Sequence, residues 1–176
     1  MNSNDLLDVW NADAVAARTR LAAPGVSSLE QLRERSGMDF LQAIGDGVLP
    51  SVPIGMLLGF VPVQWEPGRM VFQGTPGTDH YNPMGSIHGG YAATLLDSCV
   101  GCAVHSMLPA GKGYTTLELK INYIRAMTDK TGPVRAEGKV IHVGGQTAIA
   151  EGRITDVHGK LYAFATTTCL VFPMPM

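Results

Sequence analysis

Asp97 is the only acidic residue in a run of almost unbroken apolar or small side chains at residues 89–108. The run opens with Gly89 and Gly90 and is stopped by Pro109, a pattern that predicts a glycine-opened helix buried on most sides. A carboxylate on such a helix is costly unless it has partners or a chemical task. Asp97 is therefore the first candidate for a catalytic role.

The start of the same helix offers a second chemical group. The first amide N–H groups of a helix have no carbonyl partner within it, and the helix dipole adds roughly half a positive charge there. Because Gly89 and Gly90 lack a Cβ atom, a ligand carbonyl can approach these amides closely. One such donor is worth about 2.7 to 4 kcal/mol of transition-state stabilisation in acyl-transfer enzymes. The pattern indicates an oxyanion site.

Gly89 and Asp97 are too far apart on one helix to act on the same carbonyl, since eight residues at about 1.5 Å each separate them by roughly 12 Å along the axis. Two antiparallel copies of the helix, related by a two-fold axis, would bring Asp97 of one chain to Gly89 of the other. The spacing therefore predicts either two separate roles or a site shared between two subunits.

The sequence N-x-x-G-x-x-H-G-G from Asn82 to Gly90, followed by Asp97, resembles the signature of the hotdog-fold acyl-CoA thioesterases of the phenylacetate-pathway (PaaI-like) type. The resemblance covers roughly residues 50–172. It implies an α+β hotdog fold, in which a long central helix is wrapped by a roughly six-stranded antiparallel sheet. It also implies a homo-oligomer, a dimer or a dimer of dimers, with the active site at the dimer interface. The implied reaction is hydrolysis of an acyl-CoA thioester to a carboxylic acid and free CoA.

The resemblance further implies a role for individual residues. Gly89 would donate its N–H to the thioester carbonyl, and Asp97 of the partner subunit would activate water as a general base or attack as a nucleophile. Asn82 would assist or orient the substrate, and His88 matches the family histidine. Thr116 matches the hydroxyl residue that holds the water in the strand after the helix. Further expected substrate contacts are Gly90, Thr115 and Arg125.

Two other functions stay open on the same fold. Hotdog hydratases and dehydratases pair a His with an acid, and His-Tyr-Asn-Pro at residues 80–83 is similar to their pattern, although Met84 follows where that motif has His. A non-catalytic acyl-CoA-binding protein would keep the pocket without a water-activating acid, whereas Asp97 is present here. The site residues favour the thioesterase over both alternatives.

Composition limits the possible partners. The chain has 176 residues, 45% hydrophobic side chains and a formal net charge of −2, which favours one domain with a substantial core and gives no basic surface for nucleic acid. No secretory signal or membrane span is evident, so a cytoplasmic protein is expected. The anionic CoA group would need a local basic patch, and at least three of the four candidates are expected to be ordinary surface charges. The candidates are Lys112, Lys120, Arg125 and Lys130.

No metal or redox cofactor is expected, because a thioester is already activated for hydrolysis. The five histidines do not form a metal-ligand cluster, and no pair has the i, i+4 spacing of a zinc-binding helix. Cys99 and Cys102 have a C-x-x-C spacing but lie within the apolar helix, and no second pair completes a zinc site. Both cysteines are expected to pack in the core.

The rest of the sequence predicts the elements that must position these groups. Residues 1–50 are expected to form a helical extension, and residues 51–176 the hotdog domain. The alanine-rich residues 1–26 predict a loose helix or an unstructured segment. Ser27 and Glu30 have the spacing of a capping box before a short helix.

Turn signals divide the hotdog domain into one helix and six strands. In the strand that follows the helix, the alternation of side chains places Thr115 on a buried face and Thr116 on a wetter one. Sequential antiparallel pairing of such strands is typical of an α+β fold. The expected strands are residues 60–65, 69–74, 114–125, 134–143, 147–157 and 161–172.

Overall fold

The computed structural model describes residues 3–175, and over this range the chain forms five α-helices, six β-strands and a short 3₁₀ helix. The strands and the central helix lie within a few residues of their predicted positions. In chain order the elements are α1 (Ser3–Arg20), α2 (Leu29–Arg33), α3 (Gly37–Gly45), α4 (Pro53–Leu57), β1 (Phe60–Glu66), β2 (Arg69–Gly74), the 3₁₀ helix (Thr78–His80), α5 (Gly89–His105), β3 (Lys112–Tyr123), β4 (Val134–Val143), β5 (Thr147–Asp156) and β6 (Leu161–Pro173).

The six strands form one antiparallel sheet in the order β1-β2-β4-β5-β6-β3. Helix α5 lies across this sheet and contacts every strand of it. The side chains that α5 turns towards the sheet are fully buried and form the centre of the core, namely Leu95, Leu96, Cys99 and Val100. The predicted α+β architecture, a long helix wrapped by an antiparallel sheet, is confirmed.

Two paired glycines let α5 approach the sheet closely. Gly138 of β4 and Gly152 of β5 face each other in the strand register. A Cβ atom on Gly138 would collide with the backbone carbonyl of Cys99, and one on Gly152 would lie 2.7 Å from the Val100 side chain. The glycines therefore form a groove in which the middle of α5 rests.

The first helix is ordered and tied to the sheet, whereas the sequence left it loose or unstructured. Gln73 of β2 donates from Nε2 to the carbonyl of Trp10 at 2.9 Å. The guanidinium of Arg135 stacks 4.4 Å from the Trp10 ring and donates to Asp13 Oδ2 at 2.6 Å. These contacts attach α1 to β2 and β4, and the domain boundary predicted at residue 50 stays a prediction.

The capping box of α2 lies one residue later than predicted. Ser28, rather than Ser27, is the N-cap residue, and its hydroxyl accepts from the N–H of Gln31 at 3.1 Å. The Gln31 side chain accepts from the Ser28 N–H at 2.8 Å and closes the box. Both pairs fit the same sequence pattern, so the pattern alone does not separate them.

Strand β3 contains a β-bulge that the alternation of side chains did not predict. The register shifts between Thr116 and Glu118, which leaves Leu117 as an extra residue that is 59% exposed. Before the bulge, Tyr114 and Thr116 face α5, whereas Thr115 is exposed. The expected burial of Thr115 and exposure of Thr116 were therefore wrong, because a bulge reverses which residues face the helix.

Candidate active site

Asn82 organises the loop that leads into α5. Its Oδ1 accepts from the backbone N–H groups of Met84 and Ser86 at 2.9 and 3.3 Å, and its Nδ2 donates to Ser86 Oγ at 3.0 Å. Gly85, at φ +81°, supplies the left-handed residue that this turn requires. The Asn82 side chain thus holds the loop in shape, and its direct contact with a substrate stays a prediction.

His88 is the N-cap residue of α5. Its ring Nδ1 accepts from the Gly90 N–H at 2.8 Å, and its backbone N–H donates to the carbonyl of His80 at 2.7 Å. The His80 ring in turn stacks against Tyr91, with centroids 4.5 Å apart. The cap leaves the N–H of Gly89 without an acceptor in the part of the chain that the structure describes. Of the two glycine amides predicted to bind a carbonyl, Gly89 therefore offers the available donor, and the role of Gly90 stays a prediction.

A cavity of about 290 Å³ borders Gly89, and we call it the helix-start cavity. His88, Tyr123 and Arg125 also line it. The Tyr123 hydroxyl donates to the Gly89 carbonyl at 3.2 Å, and its ring lies 3.2 Å from the place that a Cβ on Gly89 would occupy. Arg125 is exposed, with Nη1 donating to the carbonyl of Leu161 at 2.6 Å. The cavity therefore combines a free backbone donor with one cationic side chain.

Asp97 lies two turns further along α5, where its side chain is exposed in the protomer. The Thr116 hydroxyl donates to Asp97 Oδ1 at 3.0 Å. This bond orients the carboxylate and leaves Oδ2 available for water. In the structure Thr116 holds the carboxylate, and its predicted contact with the water stays a prediction. Thr115, on the exposed side of β3, does not lie beside Asp97 in this protomer, and its contact with a substrate stays a prediction.

A second cavity, of about 310 Å³, is bordered by Asp97 and Ser98 of α5, and we call it the carboxylate cavity. Most of its lining is apolar and comes from α3, α4, β1 and β2. Burial lowers the pKa of His105, which lines this cavity, to about 4, so the imidazole is neutral at pH 7. Burial also raises the pKa of the Cys102 thiol to about 12 and that of Tyr114 well above its ordinary value. Asp97 is the one carboxylate among the side chains that line this cavity.

Several polar residues that line the carboxylate cavity had no role in the sequence-based prediction, among them His105 and Ser51. Helical periodicity places His105 two turns after Asp97 on the same stripe of α5, but no motif marked it as part of the site. Ser51 also lines the cavity and belongs to the segment between α3 and α4. No local pattern marks Ser51, because its backbone is held by residues 23–25, which are far from it in the chain.

The structure keeps the two halves of the predicted site apart within one chain. Gly89 borders the helix-start cavity and Asp97 borders the carboxylate cavity. Among residues 3–175, no cluster of three or more His, Cys, Asp or Glu side chains is placed to hold a metal ion. Over the same residues, no helix has both the length and the apolar character needed to cross a membrane.

Sequence comparison relates this chain to known hydrolases. Residues 84–163 match the thioesterase superfamily. A protein of Halobacterium salinarum that carries the name of an esterase is 37% identical over 76 residues, which are 42% of this chain and 48% of the relative. The 1,4-dihydroxy-2-naphthoyl-CoA hydrolase of Listeria monocytogenes is 26% identical over 114 residues, which are 65% of this chain and 91% of the relative. This chain thus spans about half the length of the halobacterial relative.

Solved structures extend the relationship to about two thirds of the chain. A conserved protein of Pseudomonas aeruginosa is 31% identical, with a TM-score of 0.64, and the match covers 68% of this chain and 94% of that protein. The phenylacetic acid degradation protein PaaI of Thermus thermophilus is 27% identical, with a TM-score of 0.61 and coverage of 67% and 97%. A Streptococcus mutans protein solved with acetyl-CoA bound is 27% identical, with a TM-score of 0.60 and coverage of 67% and 92%. The chain therefore belongs to the thioesterase superfamily and has its hotdog fold.

Proposed function

We propose that this protein hydrolyses acyl-CoA thioesters to a carboxylic acid and free CoA, and that two copies of the chain together form each active site. The observation that carries the proposal is that α5 presents both groups. Its Asp97 carboxylate is held by Thr116 of β3, and its first amide, that of Gly89, has no acceptor among the described residues. These are the two groups that thioester hydrolysis requires, a base for water and a donor for the oxyanion.

The chemistry assigned to each group follows from its position. The thioester carbonyl oxygen accepts from the Gly89 N–H at the positive end of α5. Asp97 of the partner subunit removes a proton from water as the water oxygen bonds to the carbonyl carbon. The tetrahedral intermediate then collapses, the C–S bond breaks, and CoA leaves as a thiolate that takes up a proton. The sequence left one alternative open, in which the Asp97 carboxylate itself, rather than water, attacks the carbonyl carbon.

The dimer is part of the proposal because one chain keeps the two groups apart. Gly89 and Asp97 are separated by roughly 12 Å along α5, and they border different cavities. A two-fold arrangement of antiparallel α5 helices would place each free amide opposite a carboxylate. The assembly is then a dimer or a dimer of dimers.

The relatives support a CoA thioester as the substrate. One is named as a naphthoyl-CoA hydrolase, and another was solved with acetyl-CoA bound. Arg125, at the edge of the helix-start cavity, is the proposed contact for the CoA phosphates. No metal or redox cofactor takes part in the proposed reaction, and a cytoplasmic location belongs to the same proposal.

The test is thiol release from a panel of aryl, short, medium and long acyl-CoA esters. Asp97→Asn is expected to lower kcat by about 10²- to 10⁴-fold, the usual contribution of a general base. Asp8→Asn, which makes the same change on the exposed surface of α1, is expected to leave kcat unchanged. Full turnover by a folded Asp97→Asn protein, or no thiol release by the unaltered protein from any ester, would refute the proposal. In the second case, enoyl-CoA hydration and acyl-CoA binding without turnover separate the two alternatives.

A further inference from the structure

The segment that precedes the sheet forms much of the wall of the carboxylate cavity. Nearly half of the lining residues lie before β1, and they include Phe40 and Ile44 of α3 and Met56 of α4. Solved relatives that are matched over 94 to 97% of their own length cover only 67 to 68% of this chain. About a third of this chain therefore lies outside the part it shares with them. The elements of this wall that precede β1 belong neither to the sheet nor to α5, so they are a place where substrate preference can be specific to this protein.

The wall is firmly attached to the domain. The Gly37 N–H donates to the carbonyl of Leu108 at 2.9 Å. This bond ties the first residue of α3 to the segment that follows α5. Trp65 of β1 donates from Nε1 to Gln42 Oε1 at 2.8 Å. Gly45, at the end of α3, packs so closely on the Trp65 ring that a Cβ atom would collide with it. The cavity is therefore a preformed space rather than a gap under a loose segment.

Ser51 is the unexplained polar group in this wall. Its residue is 2% exposed, and its Oγ has no hydrogen-bond partner. The backbone is held on both sides, because its N–H donates to Ala23 at 3.2 Å and its carbonyl accepts from Gly25 at 3.0 Å. A buried hydroxyl without a partner is unfavourable, and nearly all such groups in native proteins are satisfied. A group that enters the cavity would be the natural partner.

We propose that the carboxylate cavity holds the acyl group of the substrate and that the Ser51 hydroxyl hydrogen-bonds a hydroxyl or carbonyl substituent on that group. A volume of about 310 Å³ is far larger than the ~30 Å³ that one water molecule occupies in the liquid, so the cavity has room for a compact acyl group. The substrate class is thus a compact, mostly apolar acyl group with one polar substituent. This inference rests on the proposed function, because the thioester carbon must lie beside Asp97 for the acyl group to enter this cavity.

The test compares octanoyl-CoA with its positional hydroxy isomers. The unaltered protein is expected to prefer at least one hydroxy isomer by about tenfold or more in kcat/KM, since a site built to bond a hydroxyl discriminates against the analogue that lacks it. Ser51→Ala is expected to abolish the preference by lowering kcat/KM for the hydroxy isomer. Ser27→Ala, the same change in a serine that does not line the cavity, is expected to keep the preference. No preference in the unaltered protein, or an undiminished preference in Ser51→Ala, would overturn the assignment.

Binding of non-hydrolysable thioether analogues of the same compounds separates the two proposals. Tighter calorimetric binding of a hydroxy analogue that depends on Ser51, in a protein that releases no thiol, would uphold the cavity assignment and refute the proposed hydrolysis. Thiol release with the same substrate preference in the unaltered protein and in Ser51→Ala would uphold the proposed hydrolysis and refute the cavity assignment.

A size test examines the wall independently of Ser51. Met56 is 46% exposed and borders the cavity, so Met56→Trp is expected to be tolerated and to reduce kcat/KM at least fivefold for longer acyl chains relative to short ones. Met84→Trp, at a position that is 88% exposed and does not line the cavity, is expected to leave the chain-length profile unchanged. An unchanged profile in Met56→Trp would mean that the acyl group does not enter this space.

Discussion

The two cavities along α5 are built by different means. The helix-start cavity depends on backbone, because its chemical group is the Gly89 amide and its shape comes from the Asn82 turn and the His88 cap. The carboxylate cavity depends on side chains that come from widely separated parts of the chain, from α3 to β3. In the proposed reaction the first would hold the carbonyl that any thioester has, whereas the second would distinguish one acyl group from another.

For the helix-start cavity, the largest expected effect comes from removing the Gly89 amide without removing the helix. Proline is favoured at the first position of a helix, and His88, at φ −59° and ψ 135°, has the extended backbone that a residue before proline adopts. Gly89→Pro is expected to lower kcat by about 10²- to 10³-fold relative to Gly89→Ala, which keeps the N–H. Circular dichroism should show the helix intact in both. Equal activity of the two variants would mean that the amide does not bind the carbonyl.

The same variant tests whether the two cavities act across a dimer. If Gly89→Pro and Asp97→Asn chains are produced in equal amounts and pair at random, half of the dimers are mixed. A mixed dimer has one intact site of two if each site takes Gly89 from one chain and Asp97 from the other. Co-expression is then expected to restore about one quarter of the activity of the unaltered protein. No recovery, with mixed dimers verified by differential tags, would assign both groups to one chain.

The burial of His105 beside the carboxylate cavity is expected to make the free energy of unfolding fall at acidic pH. Burial holds the pKa of His105 at about 4, below its ordinary value of 6.5, so the unfolded chain binds more protons between these values and stability falls as the pH falls through that window. Urea unfolding at pH 7 and pH 5 is expected to show a loss larger by about 2 kcal/mol in the unaltered protein than in His105→Phe. An equal loss in both would mean that His105 is not shielded from solvent.

Much of this architecture is predictable because its signals are local. The glycine pair, the apolar run and the following proline define α5 within a few residues of its observed bounds, Gly89–His105. The strands are bounded by turn residues in the same way. The spacing of Gly89 and Asp97 was sufficient to predict that one chain cannot bring both to one carbonyl.

The rest depends on contacts that no local pattern records. The bulge at Leu117 adds a single residue, and a strand with or without it has the same alternating sequence until its pairing with β6 is known. Ser51 lines the carboxylate cavity, and its backbone is held by hydrogen bonds to Ala23 and Gly25, which are far from it in the chain.

A smaller effect is expected from the hydroxyl that orients the carboxylate. Thr116→Val keeps the shape of the side chain but removes the 3.0 Å bond to Asp97, and kcat is expected to fall about tenfold, in keeping with the strength of a hydrogen bond to a charged group. Thr115→Val, the same change on the opposite face of β3, is expected to have little effect on kcat. A larger loss in Thr115→Val would contradict the position of the bulge.

The smallest expected effect concerns the charge at the helix-start cavity. Arg125 is exposed, so its attraction for CoA phosphates is weakened by solvent and by salt. Arg125→Gln is expected to raise KM about threefold at low ionic strength with kcat unchanged, and the difference should disappear as salt is added. Lys120→Gln is the control, because Lys120 is exposed and lines neither cavity. An equal rise of KM in both variants would mean that CoA responds to the overall charge of the surface, and that the helix-start cavity contributes the Gly89 amide but no specific cation.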